Sequence, residues 1–207
     1  ALKVADLHPD ATITILTKKE PDDGNTKYAQ GGIAVVGEEP DSFEKHINDT
    51  LISGDGLCDE EIVRIVIEEG PERVAEMIDW GTNFDKDNDG SYLKGKEGGH
   101  SEFRILHHKD ITGWEIQRAL LEKVAQNDRI QVLKDYFVID IITQHHTGSL
   151  VLKSTQDIEC FGVYALNTQT NEIEKVLSKI TMLSSGGCGQ VYRSTTNPTV
   201  ATGDGIA

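Results

Sequence analysis

The 207-residue chain sets 20 Lys and Arg against 35 Asp and Glu, for a net charge of −15 at pH 7. With no basic cluster to offset it, that charge repels phosphate backbones and anionic membrane surfaces, so nucleic acid is not an expected partner. No apolar run reaches the roughly 18 residues of a membrane span, and the start lacks the basic and apolar regions of a signal peptide. Cys58, Cys160 and Cys188 are widely spaced, odd in number and outside any C-x-x-C pattern, which fits a reducing compartment.

Ala1–Leu7 reads as part of a helix with Leu2, Val4 and Leu7 apolar, stopped by His8-Pro9-Asp10. Thr12–Thr17 reads as a strand. Asn25–Ala34 is a polar loop with a glycine pair that turns into an apolar strand; Gly31 and Gly32 can take φ > 0 and let their N–H groups approach a flat ligand, with the Gln30 amide beside them. An ordinary turn before a strand is the alternative. Asp41 with Glu44 makes a capping box for a helix carrying Phe43, Ile47 and Leu51 on one face to about Ile52. Asp59 caps the next helix, bearing Ile62, Val63, Val66 and Ile67. Gly70-Pro71 is expected to break it before Val74, Met77 and Ile78 continue in a new direction.

In Asp85–Gly95 the run Asp87-Asn88-Asp89-Gly90 has some of the spacing of a calcium loop, but Lys96 stands where the twelfth-position Glu would be; a solvated turn is expected and no metal site. Thr112 and Glu115 form another capping box, for a helix with Ile116, Leu120 and Val124 inward, ending near Asn127. Strand Ile130–Leu133 follows. Tyr136–Thr143, Leu150–Thr155, Ile158–Asn167 and Ile173–Val176 read as an antiparallel meander, and Lys179–Ser184 as a parallel core strand. Cys188, after Gly186-Gly187, reads as a small buried hydrophobe rather than a reactive thiol. The four histidines His107, His108, His145 and His146 read as structural.

Five motifs in this order carry a resemblance: Ala29-Gln30-Gly31-Gly32; Glu97-Gly98-Gly99-His100-Ser101; Arg104-Ile105-Leu106-His107 with Asp110-Ile111-Thr112-Gly113; Thr195-Thr196-Asn197-Pro198; and Gly203-Asp204-Gly205-Ile206-Ala207. Together they resemble the L-aspartate oxidase family, FAD flavoenzymes grouped with the succinate dehydrogenase and fumarate reductase flavoproteins. The implied fold is α/β, an FAD/NAD(P)-binding three-layer fold with a parallel sheet and an antiparallel β-meander, truncated at both ends. Residues 1–207 then form a partial FAD-binding domain: the first strand and its G-x-G-x-x-G turn, which would take the cofactor pyrophosphate at a helix N-terminus, are not in this sequence, nor is a capping domain.

The same resemblance implies the site. FAD is the cofactor, lined by Lys18, Asn25, Thr26, Lys27, Tyr28, Ala29, Gln30, Gly31, Gly32 and Asp204. Lys18 stands where dinucleotide folds usually place an acidic ribose ligand, a departure the resembled family shares. Asn25 occupies the position where succinate dehydrogenases carry a histidine bonded to FAD, so the cofactor is expected to be non-covalent. Glu97 is expected to orient the substrate by meeting its amino group, with His100 and Ser101 supporting it; a solvated loop glutamate is the bland alternative. The implied reaction is oxidation of L-aspartate to iminoaspartate with oxygen or fumarate as acceptor, the first step of NAD biosynthesis, in the cytoplasm, with quinolinate synthase as a pathway partner. A fumarate reductase or succinate dehydrogenase type of flavoprotein and a non-catalytic FAD-binding fragment are the alternatives. No catalytic acid or base is assigned in this chain. By itself it is expected to hold FAD weakly and to be inactive, which aspartate-dependent hydrogen peroxide production would overturn.

Overall fold

The computed structural model describes residues 1–206; the alanine that closes the Gly205-Ile206-Ala207 motif lies outside the described residues. The chain divides into two compact units, Ala1–Asn25 with 127–207, and Thr26–Gln126.

In the first unit, α1 (Leu2–Leu7) leads into β1 (Ile13–Thr17), which pairs in parallel with β5 (Ile130–Lys134) from Ile13 opposite Ile130 to Thr17 opposite Lys134. The buried face of α1 is Leu2 and Ala5, one turn apart, while Val4 and Leu7 stay exposed. β6 (Tyr136–Thr143), β7 (Cys160–Asn167) and β8 (Glu172–Leu177) form the expected antiparallel meander in the order β6-β7-β8. Leu150–Thr155 is not one of its strands: Leu152 N–H bonds Thr155 Oγ1 and Thr155 N–H bonds Leu152 O, a local turn that removes those groups from any ladder. Lys179–Ser184 is irregular as well. Its apolar side chains point outward, with Ile180 and Met182 more than four-fifths exposed, and it pairs with no strand among the described residues.

The second unit holds β2 (Ile33–Ala34), α2 (Phe43–Ser53), α3 (Glu60–Asp79), β3 (Lys94–Gly95), β4 (Ile105–Leu106) and α4 (Thr112–Ala125). β4 lies between β2 and β3, antiparallel to both. Val35, Val74, Phe84 and Leu106 form its buried centre, with Ile33, Met77, Ile78 and Tyr92 packed around them. α3 runs unbroken through Gly70-Pro71, contrary to the expected break. Pro71 has no N–H for the Ile67 carbonyl, but Gly70 has no Cβ to meet its ring. Ile67 and Val74 are buried on either side of it, so one continuous axis keeps both apolar contacts in place.

Helix caps also differ from expectation. Asp59 caps α3 by accepting from Glu61 N and Ile62 N as expected. At α2 the cap is Ser42, which accepts from Lys45 N at 3.3 Å, because Asp41 is drawn into an ion pair with Arg104. At α4 no side chain caps the first turn: Thr112 Oγ1 accepts from His108 N, and Glu115 accepts from Asn83 N and Arg118. At α2 a buried tertiary partner outcompetes the local box; at α4 the neighbours His108 and Arg118 do so together with the distant Asn83. Asp85–Gly95 folds as a tight turn in which Asp87 O accepts from Gly90 N and Asp89 accepts from Ser91 N and Oγ. Among the described residues no helix is long and apolar enough to cross a membrane.

Candidate functional site

The loop before β2 is a short 3-10 turn, Asn25–Tyr28, followed by exposed Ala29, Gln30, Gly31 and Gly32. Ala29 N–H bonds Thr26 O at 3.1 Å, and Gly113 N–H, in the first turn of α4, bonds Ala29 O at 2.9 Å. The fit at Gly113 is close: a Cβ there would overlap the Thr26 carbonyl oxygen and stand 2.8 Å from the Ala29 Cβ. Gln30 Nε2 reaches Asp110 Oδ2 at 3.4 Å. Neither Gly31 nor Gly32 adopts the positive φ allowed for them from sequence. The second glycine is required by proximity, since a Cβ on Gly32 would overlap Leu106 O. The backbone N–H groups of Gln30, Gly31 and Gly32 have no acceptor among the described residues. Three consecutive free donors on an exposed, anchored loop are a ready set for a ligand edged with acceptors.

Glu97 follows β3, and its carboxylate lies over Gly31, with Oε1 3.4 Å and Oε2 3.6 Å from where a Cβ on that glycine would be. Behind it the Glu97–Ser101 turn is tied to α2. Ser101 N and Oγ both donate to Asp49 Oδ2 at 2.8 Å. Arg104 Nη1 donates to the same oxygen at 2.6 Å, while Nη2 and Nε donate to Asp41 at 2.7 and 3.0 Å. Arg104 is fully buried. Burial alone would raise the Asp49 pKa, but the Ser101 N–H and the Arg104 guanidinium outweigh it and hold it down to about 2. Asp41 is balanced the same way and is also lowered. His46, buried beside this cluster with its ring 5.7 Å from that of His100, has its pKa lowered by burial first and then by Arg104. His100 and Arg104 thus belong to one arrangement, and His107 and His108 to another. His107 and His108 turn to Asp85, at 3.2 and 3.6 Å, and His108 Nδ1 to Asn83 O at 2.7 Å.

In the first unit, Lys18 at the end of β1 meets the segment near the other end of the chain. Its ammonium donates to Val200 O at 2.8 Å, to Thr202 Oγ1 at 2.6 Å, and to Asp204 Oδ2. The Lys18 hydrogen bond lowers the Asp204 pKa. All three ammonium donors are thus engaged within the chain. Lys18, Phe137, Leu166, Thr168 and Val200 line a pocket of about 250 Å³ beside this pair. Asn25 Nδ2 lies 4.0 Å from where a Cβ on Gly186 would be.

The structure accordingly brings Lys18 together with Asp204, and the Thr26–Gly32 loop together with Glu97. Sequence reasoning gave no role to Gly113, Asp110, Asp41 or Asp49. Gly113 and Asp110 belonged to a noted motif, Asp41 was read as a helix cap, and Asp49 carried no signal of its own. Among the described residues no group of three or more His, Cys, Asp or Glu could hold a metal ion.

The FAD binding domain family matches residues 1–207. The chain is 49% identical to L-aspartate oxidase 2-a, chloroplastic, of Nicotiana tabacum over 207 residues, all of this chain and 30% of that protein. It is 40% identical to L-aspartate oxidase of Vibrio cholerae over 200 residues, 94% of this chain and 36% of that one. The chain thus spans about a third of the length of these curated relatives. An E. coli quinol fumarate reductase structure superposes with a TM-score of 0.88 at 30% identity, covering 99% of this chain and 33% of that one, which bears out the FAD/NAD(P)-binding α/β fold. The residues present fit the cofactor: the unpartnered N–H donors of Gln30, Gly31 and Gly32 suit the acceptor edge of a flavin ring, and the Cβ-free contact at Gly113 holds their loop in place. On sequence, fold and donor set alike, the chain belongs to the FAD binding domain family.

Proposed function

We propose that this chain is the cofactor-holding part of an FAD-dependent L-aspartate oxidase, which converts L-aspartate to iminoaspartate with oxygen or fumarate as electron acceptor, at the first step of de novo NAD biosynthesis. The observation that carries this reading is the Glu97 carboxylate lying over Gly31, beside the donors of Gln30 to Gly32. The names of the relatives in tobacco and Vibrio cholerae support it. FAD, when bound, supplies the two-electron oxidation. In this reading Ala29, Gln30, Gly31 and Gly32 lie beside its ring, and Lys18, Asn25, Thr26, Lys27, Tyr28 and Asp204 are its other contacts. Glu97 pairs with the substrate ammonium, giving charge complementarity that a substrate without an amine cannot use. Asn25 offers no nucleophilic ring nitrogen, so the cofactor is held without a covalent bond.

Five of the chain's six arginines are engaged within it. Arg64, Arg73, Arg104 and Arg118 are paired with carboxylates of the chain, and Arg129 bonds the carbonyls of His8 and Pro9. Arg193 alone has no partner among the described residues, so in this reading the grip on the two substrate carboxylates needs residues beyond these five. The 207-residue chain alone is inactive in this reading.

A test uses the FAD-loaded protein that carries this chain. Glu97→Gln is expected to lower kcat/KM for L-aspartate by about 10- to 150-fold, the equivalent of about 1.5–3 kcal/mol for a lost charge-assisted hydrogen bond. Flavin bleaching by succinate should change little. Acid precipitation should leave all the flavin in the supernatant. The high superposition with a fumarate reductase favours one other reading, a fumarate- or succinate-specific flavoprotein. Bleaching by succinate but not L-aspartate in the unsubstituted protein would establish that reading and end this one.

A further inference from the structure

Arg104 touches both walls of the gap that holds the Glu97 carboxylate. Its carbonyl accepts from Val35 N at 3.0 Å, which fixes the strand running on from Gly31-Gly32. Its guanidinium shares Asp49 Oδ2 with Ser101 N and Oγ, which fixes the far end of the turn that starts at Glu97. The turn is closed internally by His100 N–H bonding Glu97 O at 3.2 Å and Lys96 Nζ donating to Ser101 O at 2.8 Å. The Glu97 carboxylate has no hydrogen-bond partner among the described residues. Its place in the fold is set by the turn that carries it, and that turn is held through Ser101.

We propose that Asp49 and Arg104 are positioning residues: they anchor the turn that aims Glu97 at Gly31, and through it set the preference for a dicarboxylate bearing an amino group over one without. The selectivity half of this inference rests on the role proposed for Glu97; the anchoring half does not. Asp49 carries the test better than Arg104, because Arg104 also holds Asp41 in the buried interior.

The experiment compares Asp49→Ala and Asp49→Asn in the FAD-loaded protein. In Asp49→Ala, amide hydrogens of residues 96–102 are expected to exchange about tenfold faster, since a charge-assisted bond to a backbone N–H is gone. KM for L-aspartate should rise by a similar factor with kcat within about twofold, while reoxidation of chemically reduced flavin by fumarate, which has no amine, stays within about twofold. Asp49→Asn retains an acceptor for Ser101 and should recover most of both effects. Unchanged exchange in Asp49→Ala would overturn the anchoring role. Equal losses with aspartate and fumarate, or no recovery in Asp49→Asn, would reduce Asp49 to a fold residue and overturn the selectivity role. If the unsubstituted protein does not distinguish L-aspartate from succinate, the role of Glu97 fails and the selectivity role with it, while the exchange result still decides the anchoring.

Discussion

Replacing Arg104 with alanine is expected to lower folding stability by about 3–5 kcal/mol, the usual cost of removing one member of a buried ion pair. The loss exceeds that of the contacts themselves, because the Asp41 carboxylate, almost fully buried, and the Asp49 carboxylate are left without their counter-charge. The pH dependence distinguishes this cause from simple loss of packing. In the native protein Asp49 sits at about 2 and Asp41 is also lowered. Unfolded aspartates titrate at about 3.9. A lowered folded pKa contributes stability that is complete above about pH 4 and is lost as pH falls toward 2. In Arg104→Ala burial is opposed only by remaining donors such as Ser101 at Asp49 and Ser42 at Asp41, so both carboxyls titrate higher than in the native protein and the penalty is greatest at neutral pH and shrinks on acidification. The stability difference between the two proteins, from urea unfolding at a series of pH values, should shrink between about pH 5 and 3. A constant difference across that window would refute the electrostatic account.

Gly113→Ala is expected to weaken FAD binding by about 5- to 150-fold while leaving helix content unchanged. A Cβ at that position would overlap the Thr26 carbonyl oxygen and crowd Ala29, both backbone-linked parts of the loop that presents Gln30 to Gly32. Overpacking of this kind costs about 1–3 kcal/mol, and alanine returns up to about 1 kcal/mol of helix propensity. The strain falls on the exposed loop rather than on the hydrogen-bonded turns of α4, and the displaced loop loses its donor geometry. Flavin fluorescence titration of the two proteins measures the change, with circular dichroism as the control on α4. Equal affinities would mean that this loop does not hold the cofactor.

Regular, locally decided features were legible from the residues alone. The apolar runs of β1 and β5, three strands of the meander, and the Asp59 cap of α3 depend on neighbours a few positions away. What was misread was decided by partners that the local pattern does not name, near or far in the sequence. Asp41 reads as a cap until Arg104, 63 residues on, claims both of its oxygens. Thr112 and Glu115 have the spacing of a capping box, yet His108, Asn83 and Arg118 take them. Gly70-Pro71 reads as a break because propensity counts the missing hydrogen bond and cannot count the burial of Ile67 and Val74 on both sides. Lys179–Ser184 has the composition of a core strand but no pairing partner among the described residues. At the site, the glycine pair and Glu97 were visible as motifs, whereas the Asp49–Ser101–Arg104 anchor was not, since its three members carry no shared spacing.

The parallel pair of β1 and β5 has a consequence for how the chain assembles. Its strands are separated by the whole of the Thr26–Gln126 unit, so closing the pair means closing a loop of roughly a hundred residues. The Lys18–Asp204 lock closes a longer one still. During synthesis β1 is made well before β5, so this pair can close only after the intervening unit and then β5 have been made. The intervening unit has no such dependence for its own sheet and helices. The topology thus imposes an order of birth, with the inserted unit able to form first and the flanking one only after it.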